Sequence, residues 1–179
     1  MQYYAKARPS TVAGLVLVDS SHPDQADRMP ELPVNSAYDN NSGDLVTFFD
    51  PNIVFKYYRE HMWFAVGRLM ASRKAIQTQQ RELLNFNISA FQVKQLGDLP
   101  DIPLVVISHG QRVWPDNPLG DAREREWQAM QTELVNAVPR GRQVIATGSG
   151  HLIQLQQPEI IVETIRQLLE QISEEKVRE

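Results

Sequence analysis

Val12-Ala-Gly-Leu-Val-Leu-Val-Asp-Ser-Ser-His-Pro23 decides the fold class of this chain. A continuous β-prone apolar run ends abruptly in a cluster of turn formers, the pattern of a strand buried on both faces in a parallel sheet. Upstream, residues 2–8 read as the tail of a helix stopped by Pro9. Downstream, residues 23–44 are rich in Pro, Asp, Asn, Ser and Gly and read as a long loop. Two further runs have the same character as the first. Leu104-Val-Val-Ile-Ser108 follows the Pro-punctuated Leu99-Pro-Asp-Ile-Pro103, and Gln143-Val-Ile-Ala-Thr147 precedes Gly148-Ser-Gly-His151. Between these two, Asp121 is positioned to cap a helix running to about Val138, with Trp127, Met130, Leu134 and Val138 on its buried face. Pro158 opens a final helix whose apolar face is Ile161, Val162, Ile165, Leu168, Leu169 and Ile172. The charged residues 173–179 are expected to fray.

Residues 51–96 read as mainly helical, with Pro51 in a tolerated first-turn position. Val54, Tyr58, Met62, Val66 and Leu69 recur at spacings of four or three and predict one shared face. A second stretch, about 72–84, is polar on most sides. Half of the 14 aromatic residues fall between Phe48 and Phe64. That density suits core packing, or the lining of an apolar pocket. The alternation of strand, helical insert, strand, helix, strand and helix predicts an α/β domain with three parallel strands. The length of 179 residues fits one domain, or one domain with an insertion.

Composition narrows the chemistry. With no cysteine there is no disulfide framework, thiolate nucleophile or cysteine-held metal. A net charge of −4 argues against a non-specific nucleic-acid binder, which needs clustered Lys and Arg. No apolar run is long enough to span a bilayer. Lys6 and Arg8 before residues 12–18 superficially resemble a secretory signal. The run is too short, Pro9 interrupts its approach and Asp19 follows at once, so a buried strand explains it better and the expected location is cytoplasmic.

In open α/β sheets, ligands and catalytic groups gather at the carboxyl ends of the strands. Three segments meet that condition: 19–22, 109–116 and 148–151. His151 follows Gly-Ser-Gly, small residues that let a loop bring an imidazole close to its neighbour. It could serve as a general base, or be a hydrogen-bonded loop histidine. Asp19 could fix the tautomer of such an imidazole, or simply bond to its own turn. Asp116 is the other candidate acid. His22 and Asp24 are too few to make a metal site. His61 reads as a surface or packing residue and His109 as structural, though its strand-end position leaves it near any site.

These pieces together resemble the α/β-hydrolase family. Residues 12–23 resemble its sixth strand and the loop that opens its cap, and 104–110 its seventh strand. Val144-Ile-Ala-Thr-Gly-Ser-Gly-His151 with Gln157-Pro-Glu159 resembles the eighth strand, the catalytic-histidine loop and the start of the last helix. The resemblance spans nearly the whole chain but matches only the second half of the family's domain. It implies an α/β core portion at 1–23 and 99–179, a helical cap insertion at 24–98, His151 as catalytic histidine and no cofactor. It implies Asp19 as the acid, since a subset of the family carries it at the end of the sixth strand. Asp116, the alternative, is separated from Gly110 by Gln-Arg-Val-Trp-Pro, a poor match to the usual position.

The family's nucleophile sits in a Gly-x-Ser-x-Gly turn between strand and helix. No such pentapeptide occurs in these 179 residues. Removing a serine nucleophile costs on the order of a million-fold, and each lost oxyanion donor on the order of 3 kcal/mol. Ser20, Ser21 and Ser149 do not sit on a strand-to-helix elbow, so none is expected to substitute. The sequence thus predicts a hydrolase portion for ester, amide or related bonds that is inactive by itself. A non-catalytic ligand-binding or interaction module is the alternative, and a truncated product without a role is a third. The expected ligand is a small molecule with an apolar group. Residues 12–18, lacking the strand that pairs with them in the family, would expose an edge through which the chain could dimerise or pair.

Overall fold

A computed structural model of the chain describes residues 1–29 and 59–178. Pro51, Val54, Tyr58 and five of the seven clustered aromatics lie outside the described residues. The chain opens with α1 (Gln2–Ala7), a 3-10 turn at Pro9–Thr11, β1 (Leu15–Val18) and α2 (Gln25–Arg28). Then come α3 (Glu60–Met70), α4 (Arg73–Gln95), β2 (Leu104–His109), α5 (Pro118–Asn136), β3 (Gly141–Ala146), α6 (Ile153–Gln156) and α7 (Pro158–Arg178).

The fold is α/β, with three parallel strands in the order β1-β2-β3 and helices flanking the sheet. Leu15 pairs with Leu104, and Leu104 with Gly141, so the three strands run in step to their carboxyl ends. Every residue of β2 is buried. Its side chains alternate between two apolar layers, as a central strand requires. Leu104 and Val106 join Leu15, Leu17, Ala5, Leu134 and Val138 on the side of α1 and α5. Val105 and Ile107 join Ala146, Ile153 and Leu168 on the side of α6 and α7. The expected face of the fifth helix is buried: Trp127, Met130, Leu134 and Val138 are each no more than 5% exposed.

Several boundaries differ from the sequence reading. The first strand starts at Leu15 rather than Val12, because the Pro9–Thr11 turn and Gly14 delay the extended run. The second insert helix continues to Gln95, well past residue 84. Asp121 is not the cap of α5. Asn117 occupies that position in extended backbone, its Oδ1 accepts the Gly120 N–H at 2.8 Å, and Pro118 fills the first helical position. We expect Asn117→Ala to cost about 1 kcal/mol of stability, read as a lowered urea midpoint, and Asn117→Asp to cost almost nothing. Residues 173–178 are helical rather than frayed. Glu175 accepts from Arg140 at 3.0 Å and from Gln171 at 3.0 Å, which ties the last turns down.

The apolar stripes of the insert and of the last helix are less covered than their periodicity predicts. On α3, Met62, Phe64 and Leu69 are exposed, since this helix packs chiefly along α4 and not on the sheet. On α7, Leu168 is buried while Val162, Ile165 and Leu169 are exposed. Ile165 and Leu169 flank an apolar groove beside β1 that Val12, Gly14 and Val16 also line. Among the described residues no helix is long and apolar enough to cross a membrane.

Candidate active site

Asp19 stands at the carboxyl end of β1, where its N–H donates to the Ile107 carbonyl at 2.7 Å. Its φ of +41° lies in the left-handed region, which a non-glycine residue adopts at a steric cost, Asp and Asn least reluctantly. Such backbone strain clusters at functional positions. It turns a 3% exposed carboxylate back over the strand ends.

Four donors converge on that carboxylate. His151 Nδ1 lies 2.6 Å from Oδ2, and His109 Nδ1 lies 2.9 Å from Oδ2 and 3.0 Å from Oδ1. Trp127 Nε1 donates to Oδ1 at 3.0 Å, and the His109 backbone N–H donates to Oδ1 at 3.2 Å. Trp127 also walls both imidazoles, with ring centroids 6.2 Å from His109 and 6.0 Å from His151. The second imidazole reaches further. His109 Nε2 is 2.6 Å from Glu124 Oε1, while Glu124 Oε2 accepts the Val113 N–H at 3.2 Å and faces the Trp114 N–H at 3.4 Å.

The histidine loop after β3 is pinned by glutamines from α6 and its end. Gln156 Oε1 accepts from Gly150 N at 2.6 Å and from Ser149 Oγ at 2.7 Å, and Gln157 Oε1 accepts from Gly148 N at 2.8 Å. The Ser149 carbonyl takes the N–H groups of Gly110 and Gln111 at 3.1 and 2.9 Å, so the loops after β2 and β3 are joined. Gly110 is needed there: a Cβ would fall 2.6 Å from the Thr147 Cα.

The structure thus brings Asp19 and His151 together and leaves Asp116 apart. The Asp116 side chain is 97% exposed and lies 3.8 Å from Arg112. Ser149, fully buried, serves to lock its loop, while the carbonyls of Ser20 and Ser21 are held by Gln131 and Gln2 at 2.8 and 3.1 Å. His22 accepts the Asp24 N–H on Nδ1 at 3.1 Å, and His61 is exposed. Among the described residues no group of three or more His, Cys, Asp or Glu is arranged to hold a metal ion. A cleft of about 310 Å³ opens between α1, the loop after β1 and α4, with Tyr3, Ser21, His22, Phe86 and Val93 in its walls. Sequence reasoning placed His109 near any site only by its strand-end position, and it missed Glu124 and Trp127 as members of the cluster. Their available signal was that they lie one helical turn apart on the helix that follows a strand-end histidine.

No family model matches the chain, and no curated protein matches it. Among solved structures it is similar to a thermophilic esterase from Thermogutta terrifontis with malate bound. The two are 17% identical, with a TM-score of 0.39 over 96% of this chain and 62% of the esterase. The chain therefore spans less than two thirds of that protein's length.

The electrostatics of the cluster follow from its contacts. Burial pushes the Asp19 carboxyl up, but the hydrogen bonds and charges of His109 and His151 outweigh it and hold its pKa down at about 2. Burial pushes His109 down, but the bond and charge of Asp19, and then those of Glu124, carry it above the ordinary histidine value. The two signs bound a stability window. Asp19 contributes stability above its unfolded value of 3.8, lost as pH falls through about 2. The shift is worth roughly 2 kcal/mol. His109 contributes below its unfolded value of 6.5, lost as pH rises through its raised folded value. Melting temperature is therefore expected to be highest between roughly pH 4 and 6.5. A series of thermal melts from pH 2 to 9 checks this; a flat profile below pH 4 would contradict the assignment.

Proposed function

We propose that this chain supplies the acid and base of a hydrolytic triad, acting on an ester, amide or related bond of a small molecule with an apolar group. One observation carries the reading: the 2.6 Å contact between Asp19 Oδ2 and His151 Nδ1, made by a nearly fully buried carboxylate to a partly exposed imidazole. A hydrogen held on Nδ1 leaves the lone pair on Nε2, the tautomer a general base needs. His151 would take the proton of a serine hydroxyl as its oxygen attacks the carbonyl, then return it to the leaving group. Asp19 would steer the ring and stabilise the imidazolium formed meanwhile. The serine is supplied from outside these 179 residues, which hold no Gly-x-Ser-x-Gly turn. Residues 24–98, as a cap, would shape the substrate pocket.

Sequencing the gene upstream of the first codon, followed by fluorophosphonate labelling of the complete product, tests this. We expect an in-frame Gly-x-Ser-x-Gly segment and labelling of its serine that falls sharply in His151→Gln. The 179-residue chain alone should not label. Labelling that is indifferent to His151 would refute the proposal. A stop codon directly upstream would favour the alternative, a ligand-binding module derived from a hydrolase, whose binding surface would be the cleft beside α4.

A further inference from the structure

We propose that His109 is a positioning residue for the base: a doubly protonated imidazole that clamps Asp19 and draws on the carboxylate charge that His151 also uses. This rests on reading His151 as the base. The geometry leaves His109 little choice. Its Nδ1 faces both Asp19 oxygens at 2.9 and 3.0 Å, and its Nε2 faces a Glu124 oxygen at 2.6 Å. A nitrogen lone pair set against a carboxylate oxygen at those distances is repulsive, so a hydrogen belongs on each nitrogen. Glu124 is itself held as an acceptor, since its other oxygen takes the Val113 N–H at 3.2 Å. At 2% exposure His109 has no solvent to serve as a substitute partner, and the two flanking carboxylates together keep its charge favourable despite burial.

The charges that face His109 are Asp19 from the end of β1, Glu124 from α5 and, across the shared carboxylate, His151 from the loop after β3. Arg112, in the loop after β2, acts on Glu124 from farther out. Counting them gives the functional consequence. With His109 positive, Asp19, Glu124 and the ring together carry a net charge of −1 beside His151, where an uncharged ring would leave −2. A charged His109 therefore halves the negative charge packed against the loop after β3. It also divides Asp19 Oδ2 between two imidazoles, which fixes the carboxylate orientation that His151 reads.

The test is a ring-nitrogen NMR titration of the four histidines, with the parent compared with His109→Asn and Glu124→Gln. Asn can keep a donor toward Asp19 but carries no charge and cannot reach Glu124. In the parent at pH 7 we expect one buried histidine with both ring nitrogens protonated, its signal absent in His109→Asn. The resonance of the His151 Nδ1 hydrogen should move in His109→Asn, because the Asp19 oxygen it bonds then serves no second imidazole. In Glu124→Gln the titration midpoint of His109 should fall. A neutral His109 in the parent at pH 7 overturns the proposal even if neither variant folds. So does a His151 Nδ1–H resonance that is unchanged in a folded His109→Asn. This readout is independent of turnover. Failed fluorophosphonate labelling with a His151 Nδ1–H resonance that still responds to His109→Asn would remove the hydrolytic reading and leave the clamp standing.

Discussion

Asp19→Ala is expected to destabilise the chain by about 3–5 kcal/mol, the cost of deleting one partner of a buried charged cluster. The carboxylate gathers donors from His109, His151 and Trp127, and all but His151 belong to buried residues. Its loss strands the Trp127 N–H and leaves His109 facing Glu124 alone. Alanine also tolerates the +41° φ at position 19 less well than aspartate does. Asparagine is the informative contrast. It fits the same backbone and volume, so its stability cost should be the smaller. Yet its amide offers one accepting oxygen where two were used, and it presents an N–H₂ to an imidazole. If the hydrolytic reading holds, Asp19→Asn in the complete gene product should lower turnover on the order of 10⁴-fold, the effect of a base held in the wrong tautomer. Urea unfolding with an unchanged slope gives the stability term, and steady-state kinetics the other. An Asp19→Ala protein within 1 kcal/mol of the parent would mean the cluster is not assembled as described.

Trp127→Ala should cost a similar 3–5 kcal/mol, by a different route. Trp127 is 4% exposed, packs with Trp114 and Met130, and lies against both imidazoles. Most of the loss is the cavity left by the indole. Trp127→Phe separates the remainder. It keeps a ring against His109 but removes the N–H that donates to Asp19 at 3.0 Å, a bond to a charged group worth about 1.5–3 kcal/mol. The Trp127 and Asp19 substitutions share a partner, so their costs should not add. A double-mutant cycle should show a coupling of roughly 0.5–3 kcal/mol. Strict additivity would place the indole outside the network.

Much of this was legible in the sequence, for identifiable reasons. Each strand is an unbroken apolar run that stops at turn formers, which is what burial on both faces demands. The same punctuation put Asp19 and His151 at strand tips, and a parallel sheet collects strand tips along one edge. The partnership of His109 and Glu124 was not legible. Ninety residues separate His109 from Asp19, and no spacing rule connects them. Glu124 sits within Asp121-Ala-Arg-Glu-Arg-Glu-Trp127, one charge among several in a first helical stretch that does not single it out. Asp121 reads as a cap because acids favour that position, whereas the preceding Asn117-Pro118 pair supplies both the acceptor and the proline-tolerant first position. The exposed stripes on α3 and α7 mark a further limit, since periodicity shows which residues share a face but not what lies against it.

The joined loops make the motion of the His151 loop observable. The Gln111 amide rests on the Ser149 carbonyl, two residues before His151, while the Gly110 amide is shared between that carbonyl and Ala146 O, so a backbone excursion of the histidine loop releases Gln111 and leaves Gly110 an acceptor. Hydrogen–deuterium exchange at Gln111 then becomes a clock for that excursion, with Gly110 as its slower neighbour.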